Sequence, residues 1–150
     1  MEGEEKISAS LQAVKEFLAE EGFRPAVKAG DLRIEYRGWS IVVGSPEDDP
    51  EYFWLQLPFF YEFESEEEMR RGLEVASDVN RRFKVGKAYV TEDRGDVIAM
   101  VGVFVKSPEE FLAIYRRYLS ILVSVAVEFR ADMAARTEQE KGEEPGPPPA

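Results

Sequence analysis

The sequence predicts an α+β fold in the order α-β-β-β-α-β-β-α, with an antiparallel sheet packed against helices. Two observations carry this reading. Three segments repeat apolar residues at helical spacing, and about five shorter ones read as strands, most clearly where apolar and polar residues alternate. Tight turns join neighbouring strand segments into hairpins, and hairpin partners run antiparallel.

The first helix is expected from about Lys6 to Glu21. Ile7, Leu11, Val14 and Leu18 form its stripe, Phe17 widens it, and Gly22 is placed to end it. In Asp31 to Arg37, Leu32, Ile34 and Tyr36 alternate with Arg33, Glu35 and Arg37, the pattern of a half-buried strand. Gly38 turns the chain into Trp39 to Val43, and a polar loop from Gly44 to Pro50 leads to an aromatic-rich strand, Tyr52 to Phe63. Pro58 marks an edge or a bulge in that strand, because proline cannot donate to a ladder.

The second helix opens at Ser65-Glu66-Glu67-Glu68, a capping box, and shows Met69, Leu73, Ala76, Val79 and Phe83 on one face. Lys87 to Thr91 and Val97 to Val105 form a hairpin around a turn at Glu92 to Asp96. Ser107, Pro108 and Glu110 start the third helix, with the proline in the first turn, where its missing N–H has no partner to lose.

The third helix carries more apolar surface than one contact needs. Phe111, Ile114, Tyr118, Leu122, Val125 and Phe129 form one stripe; Leu119, Val123, Ala126 and Val127 extend beyond it. A helix with one buried face needs only one stripe. The surplus points to sheet on one side and a second chain on the other, with burial inside the monomer as the alternative. The strand around Trp54 and Phe60 is similarly dense in rings, and alternation sends them to both faces. One set fills the core; the other lines a groove or subunit contact, unless helices cover both faces. Trp54, Phe60, Leu119, Val123 and Val127 are therefore the candidate partner surface.

Charge and composition narrow the function. The chain has 150 residues, no cysteine and no histidine, and a formal charge of -11. It fits one domain, residues 1–137, followed by a Pro/Glu-rich stretch, 138–150, with nothing to bury and expected to be disordered. Such a surface repels phosphate backbones and anionic lipid, so neither nucleic acid nor membrane is an expected partner. Disulfides, thiolates and His-based triads cannot exist here. The acidic clusters Glu47-Asp48-Asp49-Glu51 and Glu62 to Glu68 lack calcium-loop spacing and read as a solvated loop and a helix cap. Arg70-Arg71, Arg81-Arg82 and Arg116-Arg117 read as helix-surface ion pairs, with a role in partner binding as the alternative. No glycine motif for phosphate occurs. No cofactor, metal or catalytic residue is expected. The acidic start, Met1 to Glu5, carries no apolar leader and no stretch is long enough to span a bilayer, so the cytoplasm is the expected location. Asn80, the only asparagine, either caps the second helix or presents its amide to a ligand.

Several segments together resemble one family. They are Gly22 after the first helix, the hairpin Asp31 to Val43, and Asp49-Pro50-Glu51-Tyr52-Phe53 before the third strand. Val79-Asn80-Arg81-Arg82-Phe83, Val85 to Val90 and the Asp93-Arg94-Gly95 turn complete the set. The chain resembles the YbjN family of the type III secretion chaperone-like superfamily, a group of chaperone-like or sensory-transduction regulators. That resemblance implies homodimers, protein or peptide binding and no catalytic residues. The expectation is a non-catalytic, homodimeric chaperone-like or regulatory module. A self-associating dimer without client, or an oxygen-ligand metalloenzyme, is the alternative.

Overall fold

The computed structural model describes residues 6–142. Its elements are α1 (Ala9–Glu20), β1 (Ala26–Lys28), β2 (Asp31–Tyr36), β3 (Trp39–Gly44), β4 (Tyr52–Glu62), α2 (Glu66–Arg82), β5 (Lys87–Val90), β6 (Asp96–Phe104) and α3 (Pro108–Gly142). The expected order holds, with β1 added. Three residues are too few to show alternation, so that edge strand leaves no legible pattern in the sequence.

Local chemistry sets the ends. The Ser8 hydroxyl accepts from the Leu11 N–H at 3.2 Å and starts α1 at Ala9, later than the apolar periodicity begins. Gly22, at φ +96°, reverses the chain after α1, and the Phe23 N–H closes back on the Leu18 carbonyl at 3.0 Å. The Ser65 hydroxyl accepts from the Glu68 N–H at 3.0 Å, one half of the expected capping box. At α3 the reach-back also occurs, but the Glu110 carboxylate accepts from the Lys106 N–H at 2.6 Å.

The six strands form one sheet in the order β1-β2-β3-β4-β6-β5, every neighbouring pair antiparallel. Because α2 carries the chain from β4 past β6 to the far edge, β5 lies outermost. One row crosses the whole sheet: Ala26, Arg33, Val42, Gln56, Met100 and Lys87 are successive partners. The adjacent row, Val27, Leu32, Val43, Leu55 and Val101, points the other way, toward the core.

α3 lies across that inward face against β4, β5 and β6, with α1 on one flank and α2 on the other. Phe53 stacks on Phe111 at 4.8 Å, and Tyr115 meets Phe17 and Phe23 of the α1 end edge-on at 5.9 and 6.4 Å. The buried stripe is Phe111, Tyr115, Leu119, Leu122, Ala126, Phe129 and Met133, with Val125 beside it. It is rotated from the expected stripe: Ile114 is 41 % exposed and Tyr118 only half-buried. The aromatic corner with α1 selects Tyr115, which the apolar periodicity of α3 alone had passed over.

α3 also continues to Gly142, past the boundary expected at residue 137. Its last turns hold by charge: Arg136 pairs with Glu74 and Asp78, and Glu140 with Arg71, all on antiparallel α2. The remainder of the proposed tail, 143–150, lies outside the described residues.

Candidate functional site

Both α1 and α2 pack against α3, so all three helices share one side of the sheet. Among the described residues, no helix packs on the opposite face. On it Tyr52 lies opposite Phe104, Trp54 opposite Gly102 and Gly44, and Tyr89 opposite Ile98. Phe104 is 77 % exposed, and its ring lies 5.1 Å from that of Tyr52.

The two glycines explain how large rings lie down on this face. A Cβ on Gly44 would collide with the Trp54 indole, and one on Gly102 with the Tyr52 phenol. Each ring therefore covers the bare backbone of a neighbouring strand, which leaves Trp54 half-buried and held in one orientation. Fixed, partly covered aromatic rings make a preorganised contact surface, since few rotamers remain to be lost on binding.

The candidate partner residues divide. Trp54 is on the open face. Phe60 is not: it is 8 % exposed and packs edge-on against Phe129 at 5.5 Å. The cause is a bulge between Leu57 and Tyr61, beginning at Pro58, in which Phe59 takes φ +52° and is 63 % exposed. Strict alternation had put Phe60 outside; the bulge turns it in and leaves Phe59 out. Leu119 is fully buried in the core, Val123 is partly buried against it, and Val127 is 49 % exposed. Leu119 thus belongs to the stripe buried against the sheet, and only Val127 of the three projects outward. Phe104, Tyr52 and Phe59 were missed as surface residues. For Phe104 the signal existed, since it alternates with the buried Val97, Ala99 and Val101.

Asn80 takes a role neither expectation named. Its Nδ2 donates to the Ala88 carbonyl at 2.9 Å, and its Oδ1 accepts from the Ala88 N–H at 2.7 Å. Ala88 lies in the outermost strand, so one carboxamide occupies the place of a missing neighbour strand and closes the middle of that edge. The task requires a donor and an acceptor on one short planar group. Aspartate has no donor. Both ends of its amide are thus engaged by the backbone of Ala88.

The charged pairs are structural for the most part. Arg70 meets Glu66 at 2.9 Å, Arg81 meets Asp78 at 2.5 Å, and Arg82 bridges Glu128 and Asp132 at 3.2 and 3.0 Å. Arg116 approaches Glu21 at 4.0 Å. The Asp93 carboxyl is held below its ordinary value by the Thr91 hydroxyl and the Gly95 N–H, which both donate to it, a stapled hairpin turn. Hydrogen bonding from Arg71 likewise lowers Glu140. Burial raises the Tyr61 and Tyr115 phenols. Among the described residues, no group of three or more acidic side chains is arranged to hold a metal ion, and no helix is long and apolar enough to cross a membrane.

No protein-family model matches the chain, and no curated protein sequence matches it significantly. Solved structures do. YbjN from E. coli, which has a proposed role in transcription regulation, superposes with a TM-score of 0.64 at 13 % identity, covering 81 % of this chain and 91 % of YbjN. An uncharacterized protein from Methanothermobacter thermautotrophicus gives 0.56 at 14 % identity, covering 85 % of this chain and 98 % of that one. These superpositions show that the chain has the fold of YbjN.

Proposed function

We propose that the protein is a non-catalytic protein-binding module, regulatory or chaperone-like, that works as a homodimer through the open face of its sheet. The observation that carries this is the bare aromatic face itself, with Trp54 and Tyr52 seated on Gly44 and Gly102 beside an exposed Phe104. A contiguous apolar patch of fixed rings is what a contact surface requires and what a soluble surface avoids. The likeness to YbjN supports a regulatory module. A formal charge of -11 argues that any such role runs through protein contacts and not through DNA directly. The cytoplasm remains the proposed location.

Sedimentation equilibrium tests the reading. The unaltered protein is expected at dimer mass, and Phe104→Glu at monomer mass with an unchanged circular dichroism spectrum. Phe104 is exposed, so its replacement removes no core packing. A protein that is monomeric at about 100 μM, weaker than a useful micromolar dimer, would sink the proposal.

A further inference from the structure

A second surface lies on the helix side, at the other end of the chemistry. Where the chain leaves α2 for β5, a cleft of about 430 Å³ opens against the first half of α3. Its floor is apolar: Ile114, Tyr118 and Ile121 from α3 face Phe83 and Val85 from the connection. Ile114 and Tyr118 were left out when Tyr115 and Leu119 took the buried stripe, and Ile114 and Val85 remain 41 and 39 % exposed.

The rim is basic. Arg82, Lys84 and Arg117 border the cleft, and among the described residues no acidic one does. Arg82 is neutralised by Glu128 and Asp132. Lys84 and Arg117 are exposed and have no hydrogen-bond or ion-pair partner among the described residues. In a chain of charge -11, an apolar floor between two free cations is a local reversal of sign.

The wall is also held in place. Gly86 has φ +94°, and a Cβ there would approach Ile121 at 3.2 Å and Val125 at 3.3 Å. The connection can lie this close to α3 only because the residue is glycine. Arg82 ties the preceding turn to α3 from the other side, and Asn80 fixes the strand that follows. The cleft is therefore preformed.

We propose that this cleft docks an acidic peptide segment bearing a large apolar anchor between carboxylates. The anchor enters between Val85 and Ile114, and the carboxylates meet Lys84 and Arg117. Two free cations are too few to track a nucleic-acid backbone. An open cleft leaves too much of a small ligand in water, where enclosed pockets bury most of it. A peptide with an apolar anchor matches both floor and rim. The proposal rests on the protein-binding reading and adds a partner chemistry to it; it is tested at residues on the opposite side of the sheet from Phe104.

The probe is a fluorescein-labelled peptide, Glu-Asp-Phe-Leu-Glu-Asp, titrated with the full chain and followed by anisotropy. Saturable binding below about 1 mM is expected, weakening about tenfold in Arg117→Glu and again in Lys84→Glu. It should also weaken when salt rises from about 0.1 to 1 M, as the Debye length falls from about 10 to 3 Å. Peptides with Gln and Asn for the acids, or Ala-Ala for the anchor, should bind at least about tenfold more weakly. Phe104→Glu should leave binding unchanged, which separates this site from the sheet face. No saturable binding, or equal binding by the Arg117→Glu and Lys84→Glu variants or by either control peptide, overturns the proposal. So does a fall in oligomer mass in Arg117→Glu, which would make the cleft a contact between copies. Both replaced residues are exposed, and Ile114→Asp, expected to abolish binding, gives a third variant should either fail to fold.

Discussion

The two faces of the sheet use the same residue types for opposite ends. On the inner face Phe53, Leu55 and Leu57 of β4 are buried under α3. On the outer face Tyr52 and Trp54 of the same strand lie over glycines, and Phe104 stands in the open. The inner rings are fixed by other side chains; the outer ones are fixed by bare backbone. A ring seated on glycine is ordered without being covered, so its apolar surface stays available.

The largest test of that difference compares two phenylalanines. Phe129 is fully buried and meets both Phe60 and Tyr61 edge-on, so Phe129→Ala should cost about 3–5 kcal/mol in denaturant unfolding. Phe104→Ala should change stability by no more than about 0.5 kcal/mol, measured below any dimer threshold. A large cost at Phe104 would mean that the outer face is packed, and the contrast between the faces would collapse.

The next test concerns the edge that both faces share. Asn80→Ala strips Ala88 of both partners and should cost about 1–3 kcal/mol. Asn80→Asp keeps the acceptor but sets a carboxylate against the Ala88 carbonyl, and should not restore stability. Amide exchange at Ala88 should quicken in Asn80→Ala. Protection there that survives Asn80→Ala would show that β5 needs no clasp.

The smallest effect sharpens the account of the outer rings. Gly44→Ala pushes its new methyl into the Trp54 indole, which must swing away. The cost should be about 1 kcal/mol, at the low end for overpacking because a side chain and not backbone moves. Trp54 emission should shift to the red in a Trp39→Phe background. In Trp54→Ala the same glycine replacement should cost nothing further. An unmoved emission maximum would mean that the indole does not rest on Gly44.

Much of this molecule is legible in the sequence where one residue decides one local event. Ser65 and Ser107 each accept from a backbone N–H of the first turn, and Gly22 and Gly38 take the left-handed conformations that end a helix and turn a hairpin. The alternation in β2 survives intact, with Leu32 and Ile34 buried. Legibility fails where two elements must agree. Phe60 looked exposed because a bulge cannot be counted from alternation, and Leu119 looked like a partner contact because α3 alone does not reveal which of its faces lies on the sheet.

The sequence by itself determined the α+β order, the caps and the excess of apolar residues over what one core face needs. Those follow from period, turn chemistry and composition, which act within a few residues. Tertiary structure alone decided where the excess went: α1 and α2 took the flanks of α3, an aromatic corner at Tyr115 rotated its stripe, and among the described residues no helix crossed to the far side of the sheet. Burial is a property of contacts between distant segments. A side chain's periodicity says that it should be covered, and only packing settles by what.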